Sequence, residues 1–139
     1  MERFGMNKTS AKEWLKKAWH NLSGAKLFYD ANHYSDVTAV ELHYAVEKLL
    51  KSFLAYENNK IPKTHDLYEL YQSSKEFISL NDDIDLLDKI TKYHIEESYP
   101  TFDRKLPSRE EIKEVLDFTQ KLFEEVCNIL DIKLSEVKV

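Results

Sequence analysis

The hydrophobic residues of segment 36–57 recur with the period of an α-helix. They cover about half of the helix circumference, which is wide for a helix that contacts a single neighbour. We therefore expect this helix to lie at the centre of the fold. Asp36 is predicted to cap its N-terminus, and Asn58-Asn59, followed by Pro62, to end it. Its apolar positions are Ala39, Leu42, Ala45, Val46, Leu49, Leu50, Phe53, Leu54 and Tyr56.

The same period of about 3.6 residues recurs on both sides of this central segment. It predicts long helices over about 11–31, 83–98 and 109–130, and a short helix over about 64–74. The predicted N-caps are Ser10, Thr64, Asn81-Asp82-Asp83 and Ser108, and the two serines each begin a capping box. The pattern indicates an all-α fold, an up-and-down bundle of four long helices plus one short helix. Residues 1–10 are expected to form a flexible N-terminus, 11–130 the bundle and 131–139 a C-terminal tail.

Composition narrows the classes of function. A net charge of −5 disfavours general nucleic-acid binding. Only two glycines are present, so a phosphate-cradling glycine loop is excluded, and neither CxxC nor HExxH occurs. The single cysteine, Cys127, lies on an apolar helix face and is predicted to belong to the core. No apolar run is long enough for a membrane span, and we expect a cytoplasmic protein without a metal or cofactor.

Three polar residues, His43, Glu47 and Lys51, follow one another at intervals of four along the edge of the central apolar surface. This spacing places them in one row on the helix. The row is interpreted as a solvated border with a weak ion pair, or as part of a ligand-binding groove together with Lys48.

A second candidate site is the segment Lys63-Thr64-His65-Asp66, where a helix is predicted to begin. Free N–H groups at such a position favour an anion such as a phosphate, and Lys63 adds positive charge. His65 could donate or accept a proton near neutral pH, or could simply bond to a nearby carbonyl or carboxylate. A further basic cluster, at a predicted helix end, consists of Lys92, Arg104, Lys105 and Arg109.

Three motifs together resemble the HEPN domain family over roughly residues 11–130. They are AVEKLLK at 45–51, IPKTHDL at 61–67, and Tyr99-Pro100, with Trp14, Ala18 and Tyr34 also in place. The resemblance implies a bundle of four long helices plus a short one, commonly dimeric. It also implies one of two roles: work beside a minimal nucleotidyltransferase, or RNase activity in toxin–antitoxin or defence systems.

Two departures from the family pattern affect this choice. RNase members carry an Arg-x(4–6)-His motif, and no arginine here is followed by histidine at that spacing. Ser98 stands where relatives often have an arginine before the Tyr-Pro pair. The resulting hypothesis is a non-catalytic HEPN homodimer that binds a nucleotide or a minimal nucleotidyltransferase, in a toxin–antitoxin-like pair. The alternatives are a metal-independent RNase that uses His65 or His94, and a purely structural dimer.

The candidate ligand-binding residues are His43, Glu47, Lys48, Lys51, Lys63, His65, Asp66, Tyr99 and Arg104. The expected homodimer rests on aromatic side chains at the margins of the apolar helix faces, namely Trp14, Phe28 and Phe118.

Overall fold

The computed structural model describes residues 7–98 and 105–139 of the chain. Six α-helices lie within these ranges, with no strand among the described residues. They are α1 (Lys8–Asp30), α2 (Ser35–Tyr56), α3 (Leu67–Gln72), α4 (Ile84–Ser98), α5 (Arg109–Ile129) and α6 (Leu134–Val137), with a single 3₁₀ turn (Asn81–Asp83) before α4. The all-α bundle of four long helices, α1, α2, α4 and α5, plus the short α3 is confirmed.

Helix α2 is the central element, as its wide apolar surface predicts. It packs against α1, α3, α4 and α5. Its side chains at Leu42, Leu49 and Phe53 are completely buried. Burial of a side chain of this size stabilises the fold by about 1.5–3 kcal/mol. The wide apolar surface of α2 is therefore covered by four neighbours.

The starts of two long helices differ from the prediction. Helix α1 begins at Lys8 because the side chain of Asn7, not Ser10, caps it and accepts from the Ser10 N–H at 2.8 Å. Helix α2 begins at Ser35 without a side-chain cap, so Asp36 lies inside its first turn. More than one neighbouring polar residue can cap the start of a helix. The sequence therefore predicts the first residue of a helix only to within a few positions.

The starts of α3 and α5 give one correction and one confirmation. Asp66, not Thr64, caps α3, since its Oδ1 accepts from the N–H groups of Tyr68 and Glu69. Ser108 caps α5 as predicted and accepts from the Glu111 N–H at 3.0 Å.

Helices α1, α2 and α5 all end in the same way. Asn32, Asn58 and Asp131 have φ values of 59°, 60° and 55°, in the left-handed region just beyond each helix. Glycine usually occupies this position, and asparagine and aspartate tolerate it best among the other residues. In a chain with two glycines, Asn and Asp therefore form the helix ends, as predicted for Asn58.

The segment expected to be a C-terminal tail is folded against α1. It contains α6, where Val137 is completely buried. Nε2 of His20 lies 2.8 Å from the backbone oxygen of Val139, and the Lys138 ammonium lies 4.8 Å from the centroid of the Trp19 ring. Residues 131–139 thus cover one side of α1.

The aromatic side chains expected at a dimer interface have different surroundings. Phe118 packs against the hydrophobic core, and so does Trp19. Phe28 contacts the ring of His33, whereas Trp14 is half-buried beside Lys51. In the parts of the chain that the structure describes, no helix combines the length and apolar character needed to cross a membrane.

Candidate functional site

The polar row on α2 is buried, so the interpretation as a solvated border is wrong. The exposed fractions of His43, Glu47 and Lys51 are 0%, 5% and 7%. Other elements cover the row: His65 comes from the segment before α3, and His94 comes from α4. A helix pattern read alone cannot show that a polar edge will be covered by distant segments.

Glu47 is the centre of this cluster because both of its carboxylate oxygens are occupied. Nζ of Lys51 donates to Oε2 at 2.9 Å, and Nδ1 of His65 donates to Oε1 at 2.8 Å. Burial alone would raise the pKa of Glu47, but the two hydrogen bonds, together with the charges of Lys51 and His43, outweigh it and lower the pKa below its ordinary value. Glu47 is therefore an ionised, buried carboxylate whose countercharge is the Lys51 ammonium.

His43 holds the segment before α3 through the backbone. Its Nε2 lies 2.9 Å from the carbonyl oxygen of His65, which can only accept, so Nε2 carries the proton. Nδ1 is buried without a hydrogen-bond partner and lies 3.9 Å from Oε1 of Glu47. Burial is the main cause that lowers the pKa of His43 to about 4, against the opposing effects of the His65 carbonyl and Glu47. His43 is thus neutral at physiological pH.

His65 and His94 form the partly exposed side of the cluster. Their rings stack with centroids 4.1 Å apart and an interplanar angle of 25°. Since Nδ1 of His65 donates to Glu47, Nε2 is the basic nitrogen of the neutral ring, and the side chain is 54% exposed. Burial, then the charge of His65, lowers the pKa of His94. The arrangement could hold or transfer a proton at His65 Nε2.

Lys48 points towards α1 and takes no part in the hydrogen bonds to Glu47 described above. Its Nζ donates to Oδ1 of Asn21 at 2.6 Å, and Asn21 donates in turn to Glu41 at 2.8 Å. Burial lowers the pKa of Lys48. The hydrogen-bond partner of this ammonium is therefore a neutral amide and not a carboxylate.

The remaining candidate residues fall outside the cluster around Glu47. Asp66 caps α3, which gives it a structural role. Lys63 lines a cavity of about 770 Å³ with Leu54, Lys60 and neighbouring residues. Tyr99 and Arg104 lie outside the described residues, as do Pro100 and Phe102.

Arg109, from the predicted basic cluster, fixes the end of α1. Its guanidinium carbon lies 3.8 Å from the centroid of the Tyr29 ring. The same group donates to the Tyr29 carbonyl at 2.9 Å and to Oδ1 of Asn32 at 2.8 Å. The contacts of Arg109 therefore join α5 to the end of α1.

Cys127 is buried, and burial raises the pKa of its thiol to about 11. It is a core residue, as predicted, and not an activated nucleophile. Within residues 7–98 and 105–139, no three His, Cys, Asp or Glu side chains are placed to hold a metal ion.

The sequence profile of the HEPN domain matches residues 11–130. The chain belongs to the HEPN domain family. No curated protein and no solved structure matches it. The buried polar cluster of this HEPN domain joins two of the motifs that carried the resemblance, because Glu47 and Lys51 lie in the first and His65 in the second.

Sequence reasoning named His94 only for the alternative RNase and did not name Asn21, so neither was expected in the polar network of this HEPN domain. His94 follows Leu87 and Ile90 at helical spacing, so the apolar pattern of α4 already placed it on the inward face. Asn21 had no such signal, because its role depends on the packing of α1 against Lys48.

Proposed function

We propose that this HEPN domain is a non-catalytic binding protein. Its ligand is a nucleotide or a minimal nucleotidyltransferase partner, in a toxin–antitoxin-like pair, and it acts as a homodimer. The observation that carries the proposal is that both carboxylate oxygens of Glu47 accept a hydrogen bond. Lys51 and His65 are both held by this carboxylate, so they join α2 to the segment before α3.

The absence of the Arg-x(4–6)-His motif supports the same conclusion. Cleavage of RNA through its 2′-hydroxyl needs a base and a group that stabilises charge at the scissile phosphate. Lys51 is 7% exposed and paired with Glu47, so it is poorly placed for the second task.

Binding of a nucleotide is supported by two lysines that stand beside cavities. Lys63 lines the cavity of about 770 Å³, and Lys48 lines a groove of about 440 Å³. Both volumes lie in the range typical of small-molecule sites. Each cavity therefore combines space for a ligand with a positive charge that can meet a phosphate.

Isothermal titration calorimetry with AMP, ATP and GTP tests the proposal directly. We expect binding in the micromolar to millimolar range and no hydrolysis of the nucleotide. Purification of the native protein followed by mass spectrometry tests the partner, which should be a small nucleotidyltransferase. If the protein binds no nucleotide up to about millimolar concentration and retains no such partner, the proposal is wrong.

One observation favours a second candidate, a metal-independent RNase. The ring of His65 is oriented by Glu47 and stacks on His94, and this pair could supply a base and an acid. Such an enzyme would cut RNA in the presence of EDTA and would lose that activity in His65→Ala.

A further inference from the structure

An open groove between α1 and α2 lies next to the cluster around Glu47. Its walls are Glu13, Trp14 and Lys17 from α1 and Lys48 from α2, and its volume is about 440 Å³. Trp14 and Lys17 are three residues apart and therefore share one face of α1. The groove thus combines a large aromatic ring with two lysines.

Trp14 differs from the other tryptophan of the chain in its surroundings. Trp19 packs against the hydrophobic core and lies 5.7 Å from Phe123 between ring centroids. Trp14 is half-buried and forms a wall of the groove, and the Lys51 ammonium lies 5.7 Å from its ring centroid. Its indole therefore offers a flat surface on which a planar ring can stack.

The groove has charges of both signs around it, and its positive charges are those of Lys17 and Lys48. Burial lowers the pKa of Lys48, the carboxylates of Glu47 and Glu41 oppose this effect, and the like charges of Lys17 and Lys51 add to it. Lys51 is already paired with Glu47, so a bound anion would relieve the repulsion between Lys17 and Lys48. The carboxylate of Glu13 is paired with Lys16 at 2.9 Å, so the favourable position for an anion is beside Lys17 and Lys48.

We propose that this groove binds a free nucleoside phosphate, with the base stacked on Trp14 and the phosphate beside Lys17 and Lys48. Base stacking on an aromatic side chain and a phosphate contact with lysine are the two interactions that proteins commonly use for such ligands. The inference rests on the proposed nucleotide binding and assigns it to one of the two cavities.

The two tryptophans allow a direct test by fluorescence. In the Trp19→Phe variant, Trp14 is the remaining fluorophore, and titration with AMP or ATP should quench it. In the Trp14→Phe variant, the emission comes from Trp19 and should stay unchanged. Tripolyphosphate, which has no base, should bind in the groove without comparable quenching.

Calorimetry on variants of the groove, with one lysine outside it as a control, gives the second measurement. Lys17→Gln should weaken AMP binding by several-fold, and Trp14→Ala by about tenfold or more. Lys26→Gln removes another exposed lysine of α1 and should leave the affinity unchanged. Circular dichroism melting of each variant shows whether it is folded.

Two results would overturn this inference while nucleotide binding itself stands. The first is calorimetric binding of AMP that is unaffected by Trp14→Ala and Lys17→Gln but lost in Lys63→Gln, which assigns the ligand to the other cavity. The second is quenching of Trp14 by a 5′-phosphorylated oligonucleotide but not by free nucleotides, although calorimetry shows that free nucleotides bind. If the wild type binds no nucleotide at all, this inference and the proposed binding of nucleotides fail together.

Discussion

Nδ1 of His65 donates to Oε1 of Glu47 over 2.8 Å, and this contact ties the segment before α3 to the middle of α2. The other oxygen of the same carboxylate accepts from Lys51 at 2.9 Å. The two HEPN motifs are therefore joined by a buried ion pair with a histidine at its edge. The stability of this arrangement depends on every member being present, because a buried charge without its partner is costly.

We expect Glu47→Gln to destabilise the fold by about 3–5 kcal/mol, because it leaves the buried Lys51 without a countercharge. Urea unfolding followed by circular dichroism measures this change. The double variant Glu47→Gln/Lys51→Met should recover much of the loss, since it removes both charges.

The matched control for this prediction is Glu13→Gln. It breaks an exposed pair with Lys16 and should cost about 0–1 kcal/mol. A loss in Glu47→Gln no larger than in the control would show that the buried pair does not stabilise the fold.

The path of the main elements could be predicted from apolar periodicity, but the polar cluster could not. The nine apolar positions of the central segment place α2 at the core because burial of its surface needs neighbours on several sides. His43 and Lys51 lie at the edge of that surface, where the pattern does not distinguish exposure from burial. His43 is covered by His65 and by His94 of α4, and Lys51 lies beside Trp14 of α1; all three are distant in sequence.

The helix caps show the same limit on a smaller scale. Ser10 and Asn7 both offer an oxygen to the start of α1, and the structure uses Asn7, whose side-chain amide also donates to Asn58 at 3.0 Å. This second contact joins the start of α1 to the end of α2. A local sequence motif contains no information about it, so the predicted start was three residues late.

The buried imidazole of His43 predicts a loss of stability in acid. Its pKa in the folded state is lowered to about 4. Between this pH and about 6.5, the imidazole therefore binds more protons in the unfolded chain than in the folded chain. Stability is therefore fully present above about pH 6.5 and falls as the pH decreases towards 4. The expected loss from this group is about 2–4 kcal/mol.

Chemical denaturation at pH values from about 7.5 to 4.5 measures this loss of stability. His43→Gln keeps a donor for the His65 carbonyl but does not titrate, so its stability should depend less steeply on pH. The pKa of Glu47 is also lowered, so its contribution to stability is lost at a lower pH than that of His43. This loss is common to the wild type and His43→Gln, because both contain Glu47. Identical pH profiles for the wild type and His43→Gln would contradict the prediction.

The absence of RNase activity is a separate prediction. Structured and single-stranded RNA should both remain intact when they are incubated with purified protein, with or without EDTA. Gel electrophoresis of labelled RNA checks this. Turnover by the wild type that disappears in His65→Ala would establish the catalytic alternative in place of the binding function.

Dimerisation should involve the surface around the turn between α1 and α2. Leu27 and Tyr34 are 66% and 69% exposed there. The ring of His33 contacts the ring of Phe28 on one side and the ring of Tyr34 on the other. An exposed apolar surface of this kind is typical of an interface. Analytical ultracentrifugation at micromolar concentration should therefore give a dimer mass for the wild type.

The charged variant Leu27→Asp should shift this dimer towards monomer. Ile129→Asp is its control, because Ile129 is also exposed, at 40%, but lies at the opposite end of the α1–α5 pair. The antiparallel packing of these helices follows from the contacts of Arg109 with Tyr29 and of Lys8 with Asp131. A monomer mass for the wild type would exclude the dimer.

The packing of the C-terminal segment on α1 gives the last prediction. Val137 is completely buried, whereas Val139, two residues later, is 67% exposed. Val137→Asp would place a charge without a partner beside α1 and should destabilise the fold by about 2–4 kcal/mol. Val139→Asp introduces the same side chain into solvent and should change the stability by less than about 0.5 kcal/mol. Urea unfolding of both variants in a Trp14→Phe background, monitored by the fluorescence of Trp19 beside Lys138, compares them in one measurement. Equal stabilities would mean that residues 131–139 do not pack on α1 in solution, and that the core of this HEPN domain is complete without them.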